Sequence, residues 1–303
     1  MHDLPGRLEL HAVPTLTMPD TQFLRGEAAG AAATTLGGLF SLAQGGGRQP
    51  CVVMMHGSGG IAPSIPLWMR EFNAAGAACF ALDGFTGRGL ISVSGDQAKL
   101  GRLAFILDIY RALALLVRHP AVDPARLVVM GFSRGGQAAL YSGMARFHCL
   151  WNPAGVLPLA TLALYPDCST RYRDDTAMAP GRLAVFHGTE DDFNPIALAR
   201  AHAARLRAAG HPVSFFEYPG AHHGFDSPIP SVVLSPDAQS MRYCRVEERE
   251  DGILVNAANG APFSYADPCV AAGAHVGGDA VAGPQVRRDV LGFLRDAGAI
   301  EAD

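Results

Sequence analysis

The segment "MGFSRGG" holds the residue best placed for nucleophilic chemistry, Ser133. Gly131-Phe132-Ser133-Arg134-Gly135 fits the pattern G-x-S-x-G, after the apolar run "LVVM" and before a helical pattern. At such a strand-to-helix junction the turn projects the serine hydroxyl from the sheet and sets it at the N-terminus of the helix. The alternative is that Ser133 only caps the helix, because serine is a favoured N-cap residue.

A serine hydroxyl needs a base within hydrogen-bond reach, and that base needs a carboxylate that orients it. Two later segments supply both groups in the order acid, then histidine, that this architecture uses. The loop "FHGTEDDFNP" offers Glu190, Asp191 and Asp192, and "AHHGF" offers His222 and His223. Both loops follow strand-like runs, which predicts them at the carboxyl ends of parallel strands, where open α/β sheets build their sites. The alternative for each carboxylate is a solvated charge or a cap for the next helix.

The loop "HGSGG", residues 56–60, follows the first buried strand-like run. Its glycines allow the backbone to approach a substrate closely. In this architecture that loop and the residue after the serine supply the two amides that bind an oxyanion. This predicts the backbone N–H groups of Ser58 and Arg134 for that role. His56 is expected to anchor the loop through a hydrogen bond, without a part in catalysis.

The pair His222 and His223, together with the acidic loop, also raises the hypothesis of a metal site. Side chains of consecutive residues at the end of a strand point in different directions, which disfavours joint ligation. The chain also has no CxxC and no Cys/His spacing typical of zinc. We therefore expect no metal and no cofactor. A binding module on an inactive form of the same fold would be favoured if the serine, the acid or the histidine were missing, and none is missing.

The elements that must position these loops alternate along the chain. Short apolar strands and amphipathic helices follow one another from about residue 50, which predicts a mostly parallel twisted sheet with helices on both faces. The first fifty residues form an N-terminal extension with two antiparallel strands, at 8–13 and 36–43. The predicted helices cover residues 66–75, 97–118, 195–209 and 283–297. We expect residues 1–303 to form a single α/β domain.

Residues 227–282 interrupt this alternation. The segment is rich in Pro, Gly and Asp and is too long for an ordinary connection, so it is predicted to be an inserted, irregular, cap-like segment near the active site. A small hairpin is expected around "DGILVNAANGAPF". Cys244 and Cys269 flank that hairpin, and a disulfide between them is a hypothesis, because sequence alone does not determine pairing.

The composition limits which classes of protein the chain can belong to. The chain of 303 residues is 49% hydrophobic and 17% charged, with a net charge of −4, which indicates a globular protein and argues against nucleic-acid binding. No window approaches the roughly 18 apolar residues of a membrane span. The N-terminal sequence lacks a signal-peptide pattern, which fits a cytoplasmic protein or the mature form of a periplasmic or secreted one. The oligomeric state stays open, a homodimer included.

These motifs resemble those of the α/β-hydrolase superfamily, and specifically the dienelactone hydrolase-like family. The resemblance covers about Cys51 to Ala221 and is carried by "HGSGG", "GFSRGGQ", "FHGTEDDFNP" and "YPGAHHGFD". The family pattern implies Asp191 as the acid, three residues after the glycine of the "HG" pair. It implies His223, immediately before Gly-Phe, as the base. The namesake enzymes use a cysteine nucleophile, so the serine here shifts the expectation from dienelactones to ordinary esters, lactones or amides.

The resemblance implies two-step acyl transfer through an acyl-enzyme on Ser133. Arginines near the site favour a carboxylate-bearing ester or lactone, because arginine binds carboxylates through two parallel hydrogen bonds. The runner-up is an amide-bond hydrolase for an acidic polymer, of the poly(aspartic acid) hydrolase type. The arginines are equally compatible with solvated surface positions or with pairing to acidic loops. The candidates for substrate binding are Arg88, Arg134, Arg171 and Arg173.

Overall fold

The computed structural model describes residues 4–301, which contain thirteen strands and seven α-helices. The strands are β1 (Arg7–Thr17), β2 (Ala32–Leu42), β3 (Gln49–Met55), β4 (Ala78–Asp83), β5 (Val122–Phe132), β6 (Ala160–Leu164), β7 (Thr170–Arg171), β8 (Arg182–Gly188), β9 (Val213–Tyr218), β10 (Val232–Ser240), β11 (Val246–Glu248), β12 (Leu254–Asn256) and β13 (Ala271–Gly277). The helices are α1 (Asp20–Arg25), α2 (Ser64–Ala74), α3 (Ala104–Leu116), α4 (Arg134–Ser142), α5 (Ala145–Trp151), α6 (Ile196–Ala208) and α7 (Ala282–Asp296).

Eight strands form the central sheet in the order β1-β2-β4-β3-β5-β6-β8-β9. The strands from β4 to β9 in this order pair in parallel, whereas β1 and β2 pair antiparallel and β2 pairs antiparallel with β4. The predicted fold class is therefore confirmed, with an antiparallel edge at the N-terminal strands. The carboxyl ends of β3, β5, β8 and β9 meet at one edge of the sheet, where the chemically active loops begin.

Both faces of the central strands are buried. Along β3, Cys51, Val53 and Met55 pack into one apolar cluster with α3 and α4, and Val52 and Met54 pack into a second cluster with α2 and α7. Side chains alternate between the two faces of a strand, so a strand with both faces covered is continuously apolar. This explains the apolar runs at the centres of β3 and β5, from Cys51 to Met55 and from Leu127 to Met130.

The third helix begins later than its periodicity predicts. The sequence pattern starts at Gln97, but residues 97–99 form a short 3-10 turn and α3 begins at Ala104. The carboxylate of Asp20 accepts hydrogen bonds from the backbone N–H groups of Arg102 and Leu103, at 3.0 and 2.9 Å. A carboxylate from a distant segment thus caps the helix, and Gln97 and Arg102 of the segment before it line the space beside Ser133.

The inserted segment is more regular than its sequence indicates. Strands β10 and β13 form an antiparallel ribbon, and β11 joins β12 and β7 in a three-stranded sheet. The predicted hairpin is present where the Phe263 N–H donates to the Leu254 carbonyl at 2.8 Å. The ribbon was not predicted because Val232, Val233 and Leu234 are all at least 40% exposed, so β10 lacks the alternation of a half-buried strand.

A disulfide joins Cys244 and Cys269 across this segment, with their Cα atoms 5.0 Å apart. It lies in a small apolar cluster that includes Met241, Val246 and Tyr265. Met241 and Tyr265 also border the space next to Ser133, so the bridge supports one wall of the site. Within residues 4–301 no helix is both long enough and apolar enough to span a bilayer.

Candidate active site

Ser133 lies on a strained turn between β5 and α4, with φ 55° and ψ −115°. The turn requires glycine on both sides. A Cβ at position 131 would lie 1.9 Å from the carbonyl oxygen of Gly135, and a Cβ at position 135 would lie 2.1 Å from that of Met55. Real side chains cannot occupy such distances, so the spacing of the motif reflects the packing of the elbow against β3.

The loop after β8 turns one of its three carboxylates inward. Asp191 is buried, and its Oδ1 accepts hydrogen bonds from the N–H groups of Phe193 and Asn194, at 2.9 and 2.8 Å. Asp192 instead accepts from the half-exposed His275 at 2.8 Å, and Glu190 is exposed. The backbone hydrogen bonds to Oδ1 hold the carboxylate of Asp191 with its Oδ2 free for another partner.

That partner is His223. Its Nδ1 lies 2.8 Å from Oδ2 of Asp191, and its Nε2 lies 2.8 Å from Oγ of Ser133. The ring of Phe193 stacks on the imidazole at 4.6 Å, and Tyr165 meets it edge-on at 4.7 Å. The two rings and the carboxylate fix the orientation of the imidazole between the acid and the serine.

A close backbone approach brings the acid loop to the histidine loop. A Cβ at Gly188 would lie 2.2 Å from the carbonyl oxygen of Ala221, so only glycine fits. The adjoining N–H groups of Thr189 and Glu190 donate to the carbonyls of Tyr218 and Ala221, each at 3.0 Å. The glycine of the "HG" pair thus sets the distance across which the acid reaches the base.

The two adjacent histidines have separate surroundings. The His222 ring faces the ring of His275, 5.6 Å away, whereas His223 faces Ser133. Because Asp191 faces His223 and Asp192 faces His275, the histidines and the acidic loop do not converge on one point. This arrangement does not form the metal site considered from the sequence.

Two buried titratable groups beside the site were missed by sequence reasoning. His187 lies 3.9 Å from Oδ2 of Asp191, and burial lowers its pKa. Asp226 accepts hydrogen bonds from the Tyr165 hydroxyl at 2.7 Å and the Trp68 indole at 2.8 Å, and burial raises its pKa. Both residues belong to the quoted motifs, at "FHG" and "HHGFD", and that position was the available signal.

The glycine loop after β3 lies against the elbow. A Cβ at Gly57 would lie 3.2 Å from Cβ of Ser133, and a turn follows in which the Gly60 N–H donates to the Gly57 carbonyl at 3.2 Å. His56 anchors this loop as expected, because its Nε2 accepts from the Gly84 N–H at 3.0 Å. Ser58 lines both spaces that border Ser133. Arg134 is the first residue of α4, and an N–H at that position has no partner inside its helix.

A cavity of about 280 Å³ opens beside Ser133. Among the described residues, those that line it include no Lys, Arg, Asp or Glu. Binding sites for small molecules are typically apolar with a few placed polar groups, as here. Its apolar wall consists of Ala62, Ile65, Phe132, Phe193, Ala238 and Val276.

A second space of about 20 Å³ also borders Ser133 and is polar. It has room for about one water molecule. Arg134 lines it but is already bound: its guanidinium donates to Gln97 Oε1 at 2.8 Å and to the Gly101 carbonyl at 2.7 Å. Arg102, which sequence reasoning did not select, lines it too and pairs with Asp167. Each arginine is thus held by groups of the protein itself.

The other arginines lie away from the nucleophile. Arg88 is buried and donates to both carboxylate oxygens of Asp108, at 2.7 and 2.9 Å. Arg171 and Arg173 line a separate cleft, where Arg173 lies 3.8 Å from Glu248. None of the three lines the spaces beside Ser133. This placement corrects the expectation that they contact a substrate there, because Arg88 and Arg173 already pair with carboxylates.

Residues 39–248 match the model of the dienelactone hydrolase family. The chain belongs to the dienelactone hydrolase family. Membership confirms the resemblance found in the motifs, and it confirms the expectation of a hydrolase.

Other known proteins are similar to the chain in part of the sequence or in fold. The chain is 31% identical over 103 residues to acyl-protein thioesterase 1 of Gibberella zeae, a match that covers 34% of this chain and 43% of that relative. The chain thus spans less than half the length of this curated relative. Two solved structures share the fold. They are the dienelactone hydrolase-like promiscuous phosphotriesterase P91 from metagenomic libraries (17% identity, TM-score 0.59, covering 95% of this chain and 98% of that one) and esterase 2 of Thermogutta terrifontis (17% identity, TM-score 0.58, covering 88% and 90%).

Proposed function

We propose that the protein hydrolyses carboxylic esters or thioesters through an acyl-enzyme on Ser133. The supporting observation is the continuous chain of contacts from Asp191 to His223 to Ser133, with 2.8 Å at each step. Asp191 holds the proton on Nδ1, so Nε2 of His223 is free to accept the serine proton. The serine oxygen attacks the carbonyl carbon, and the imidazolium then protonates the leaving alcohol or thiol. Water, activated by the same imidazole, releases the acid and regenerates the hydroxyl.

The amides of Ser58 and Arg134 bind the developing oxyanion in this proposal. Both belong to segments that meet at Ser133: the glycine loop after β3 and the first turn of α4. Donors of this kind act because they are fixed before charge develops, and loss of one typically costs about 10²–10³ in rate.

The substrate that the cavity fits best has an uncharged acyl group. The 280 Å³ cavity beside Ser133 is largely apolar, and the arginines of the polar space are bound to Gln97, Asp167 and backbone carbonyls. A carboxylate on the acyl chain would find no free cation in the cavity and would lose its hydration there. The similarity to an acyl-protein thioesterase supports thioesters beside oxygen esters as substrates.

The test of the nucleophile is Ser133→Ala, assayed with a p-nitrophenyl ester and with a fluorophosphonate probe. We expect loss of labelling and a fall in kcat of at least about 10³-fold, because within the described residues only the Ser133 hydroxyl lies within hydrogen-bond reach of Nε2 of His223. Ser214→Ala is the matched control, since Ser214 is exposed on β9. Labelling that persists in Ser133→Ala would overturn the assignment.

The substrate class is tested with matched acyl groups. Butyryl and octanoyl esters and thioesters should be turned over with a higher kcat/KM than the monoester of succinate and than an anionic polyamide. A higher kcat/KM for the succinate monoester would instead indicate that the substrate is a carboxylate-bearing ester. Turnover of the polyamide above that of the esters would favour the amide hydrolase.

A further inference from the structure

Three metal-binding side chains converge at the outer edge of the central sheet, away from Ser133. Glu9 and His11 lie on β1, and His119 follows α3. Nε2 of His11 lies 2.9 Å from Oε2 of Glu9, and Nε2 of His119 lies 3.2 Å from the same oxygen. One ligand atom from each residue falls within 4.8 Å of the other two.

The fold holds these side chains in place before any ligand arrives. Residues 9 and 11 are two apart on a strand, so they share a face. The His119 ring packs against Phe40 at 4.6 Å and against the ring of His11 at 5.6 Å. The side chains of Glu9, His11 and His119 are 15, 22 and 11% exposed, so the cluster is ordered by packing but open to solvent on one side.

We propose that Glu9, His11 and His119 bind a zinc ion, with water as the fourth ligand. Zinc takes histidine nitrogen and carboxylate oxygen at about 2.0–2.2 Å in tetrahedral geometry, which sets neighbouring ligand atoms about 3.2–3.5 Å apart. The distances of 2.9 and 3.2 Å therefore need to grow by only a few tenths of an ångström. Two imidazoles and one carboxylate suit zinc better than magnesium or calcium, which prefer oxygen ligands.

The remaining contacts of the cluster show which hydrogen bonds zinc binding keeps and which it replaces. Arg7 Nε lies 3.0 Å from Oε1 of Glu9, so it orients the carboxylate and leaves Oε2 for the metal. Nδ1 of His119 accepts a long hydrogen bond, 3.3 Å, from the N–H of Ala121. Ligation through Nε2 moves the proton of that ring to Nδ1, so this weak hydrogen bond and the two histidine hydrogen bonds to Oε2 of Glu9 are given up in exchange for metal–ligand bonds.

The ion would act as a clamp on the N-terminal edge strand. Glu9 and His119 are separated by 110 positions in the chain, and β1 has a strand partner on one side only. None of the three residues lines the spaces beside Ser133. Zinc bound here stabilises the native state by mass action and leaves the hydrolytic site unchanged.

The test uses the full chain after treatment with EDTA and dialysis. Calorimetric titration with Zn²⁺ should give one ion per chain, and zinc at about 100 times the dissociation constant should raise Tm by roughly 5–10 °C. His11→Gln and His119→Gln should each weaken binding at least tenfold and abolish the rise in Tm. His275→Gln is the matched control, because it removes a histidine–carboxylate pair that lies outside the cluster and should leave zinc binding unchanged.

Three results would overturn the proposal. They are absence of a zinc-dependent rise in Tm for the unaltered chain, equal zinc affinity of the two ligand variants and the unaltered chain, and loss of the ion in His275→Gln alone. The Tm of each variant without metal shows whether it folds. As a second readout, Co²⁺ in place of zinc should give the strong visible absorption of a tetrahedral site in the unaltered chain and not in His119→Gln.

Discussion

At the scale of single residues, the adjacent histidines His222 and His223 have different partners and therefore different expected roles. His223 lies 2.8 Å from both Asp191 and Ser133, while His222 faces another imidazole at 5.6 Å. We expect His223→Ala to lower kcat/KM by at least about 10³-fold, because the serine loses its base. His222→Ala should change it by less than about threefold. Steady-state kinetics with a p-nitrophenyl ester measures both.

Two outcomes would contradict this division of roles. A large loss in His222→Ala with little loss in His223→Ala would mean that the motif is shifted by one residue. An equal fall in kcat/KM in both variants would mean that the two histidines affect activity only by maintaining the conformation of the loop. Thermal unfolding of both variants separates an effect on chemistry from an effect on folding.

Local motifs were sufficient to predict which residues meet at the site. Ser133, Asp191 and His223 each lie in the segment that follows a strand, and parallel strands end at a common edge, so their meeting follows from the order of elements. The positions of the arginines did not follow in this way. Arg88 pairs with Asp108 on α3, and Arg102 lies before α3, where Asp20 binds its backbone N–H and Asp167 pairs with its side chain. Such contacts between distant segments leave no local pattern in the sequence.

At the scale of elements, the geometry of the site depends on the contact between β8 and the histidine loop. Gly188→Ala places a Cβ 2.2 Å from the carbonyl oxygen of Ala221, which must move away. We expect this variant to lower kcat by at least tenfold, because the acid and the base separate, and to lower Tm. Gly292→Ala in α7 is the matched control, since nothing lies within 4 Å of its Cβ.

The control should be neutral or stabilising, because alanine favours a helix by up to about 1 kcal/mol over glycine. Enzyme kinetics and thermal unfolding of the two variants test the comparison. Activity of Gly188→Ala equal to that of the unaltered chain would show that the loops tolerate separation.

Buried elements were predicted better than exposed ones. The parallel strands have continuous apolar runs and the helices α2, α6 and α7 have apolar faces, so their patterns stand out. In β10 the residues Val232 to Leu234 are exposed, so the alternation of a half-buried strand is missing, and Pro236 interrupts the short run of strand-forming residues. The structure of that segment depends on its pairing with β13 and on the disulfide between Cys244 and Cys269.

At the scale of the whole molecule, buried histidines make folding sensitive to mild acid. Burial lowers the pKa of His56 and of His187 below the ordinary value near 6.5. Below that pH the unfolded chain binds protons at both rings and the folded chain does not, so the free energy of unfolding falls as the pH falls. Each histidine contributes at most about 1.4 kcal/mol per pH unit.

Urea unfolding at pH 7.5, 6.5 and 5.5, with EDTA present, measures this slope. Carboxylates with a lowered pKa, such as Asp167, contribute only at more acidic pH, near their ordinary range. His187→Asn should lose stability at neutral pH and should show a smaller slope than the unaltered chain below pH 6.5, where His56 and His148, whose pKa burial also lowers, still contribute. A slope that the substitution leaves unchanged would contradict the role of His187.

The backbone at Ser133 carries a consequence for how this protein can evolve. Its φ of 55° is one that glycine adopts freely and serine does not, and such strain costs about 1–3 kcal/mol. Glycine at position 133 would relieve that strain and remove the nucleophile in one step. Under selection for thermal stability alone, variants with glycine at position 133 would therefore be favoured, although they are inactive. Conformational stability and catalytic activity therefore make opposite demands on residue 133, and the serine is retained only under selection for activity.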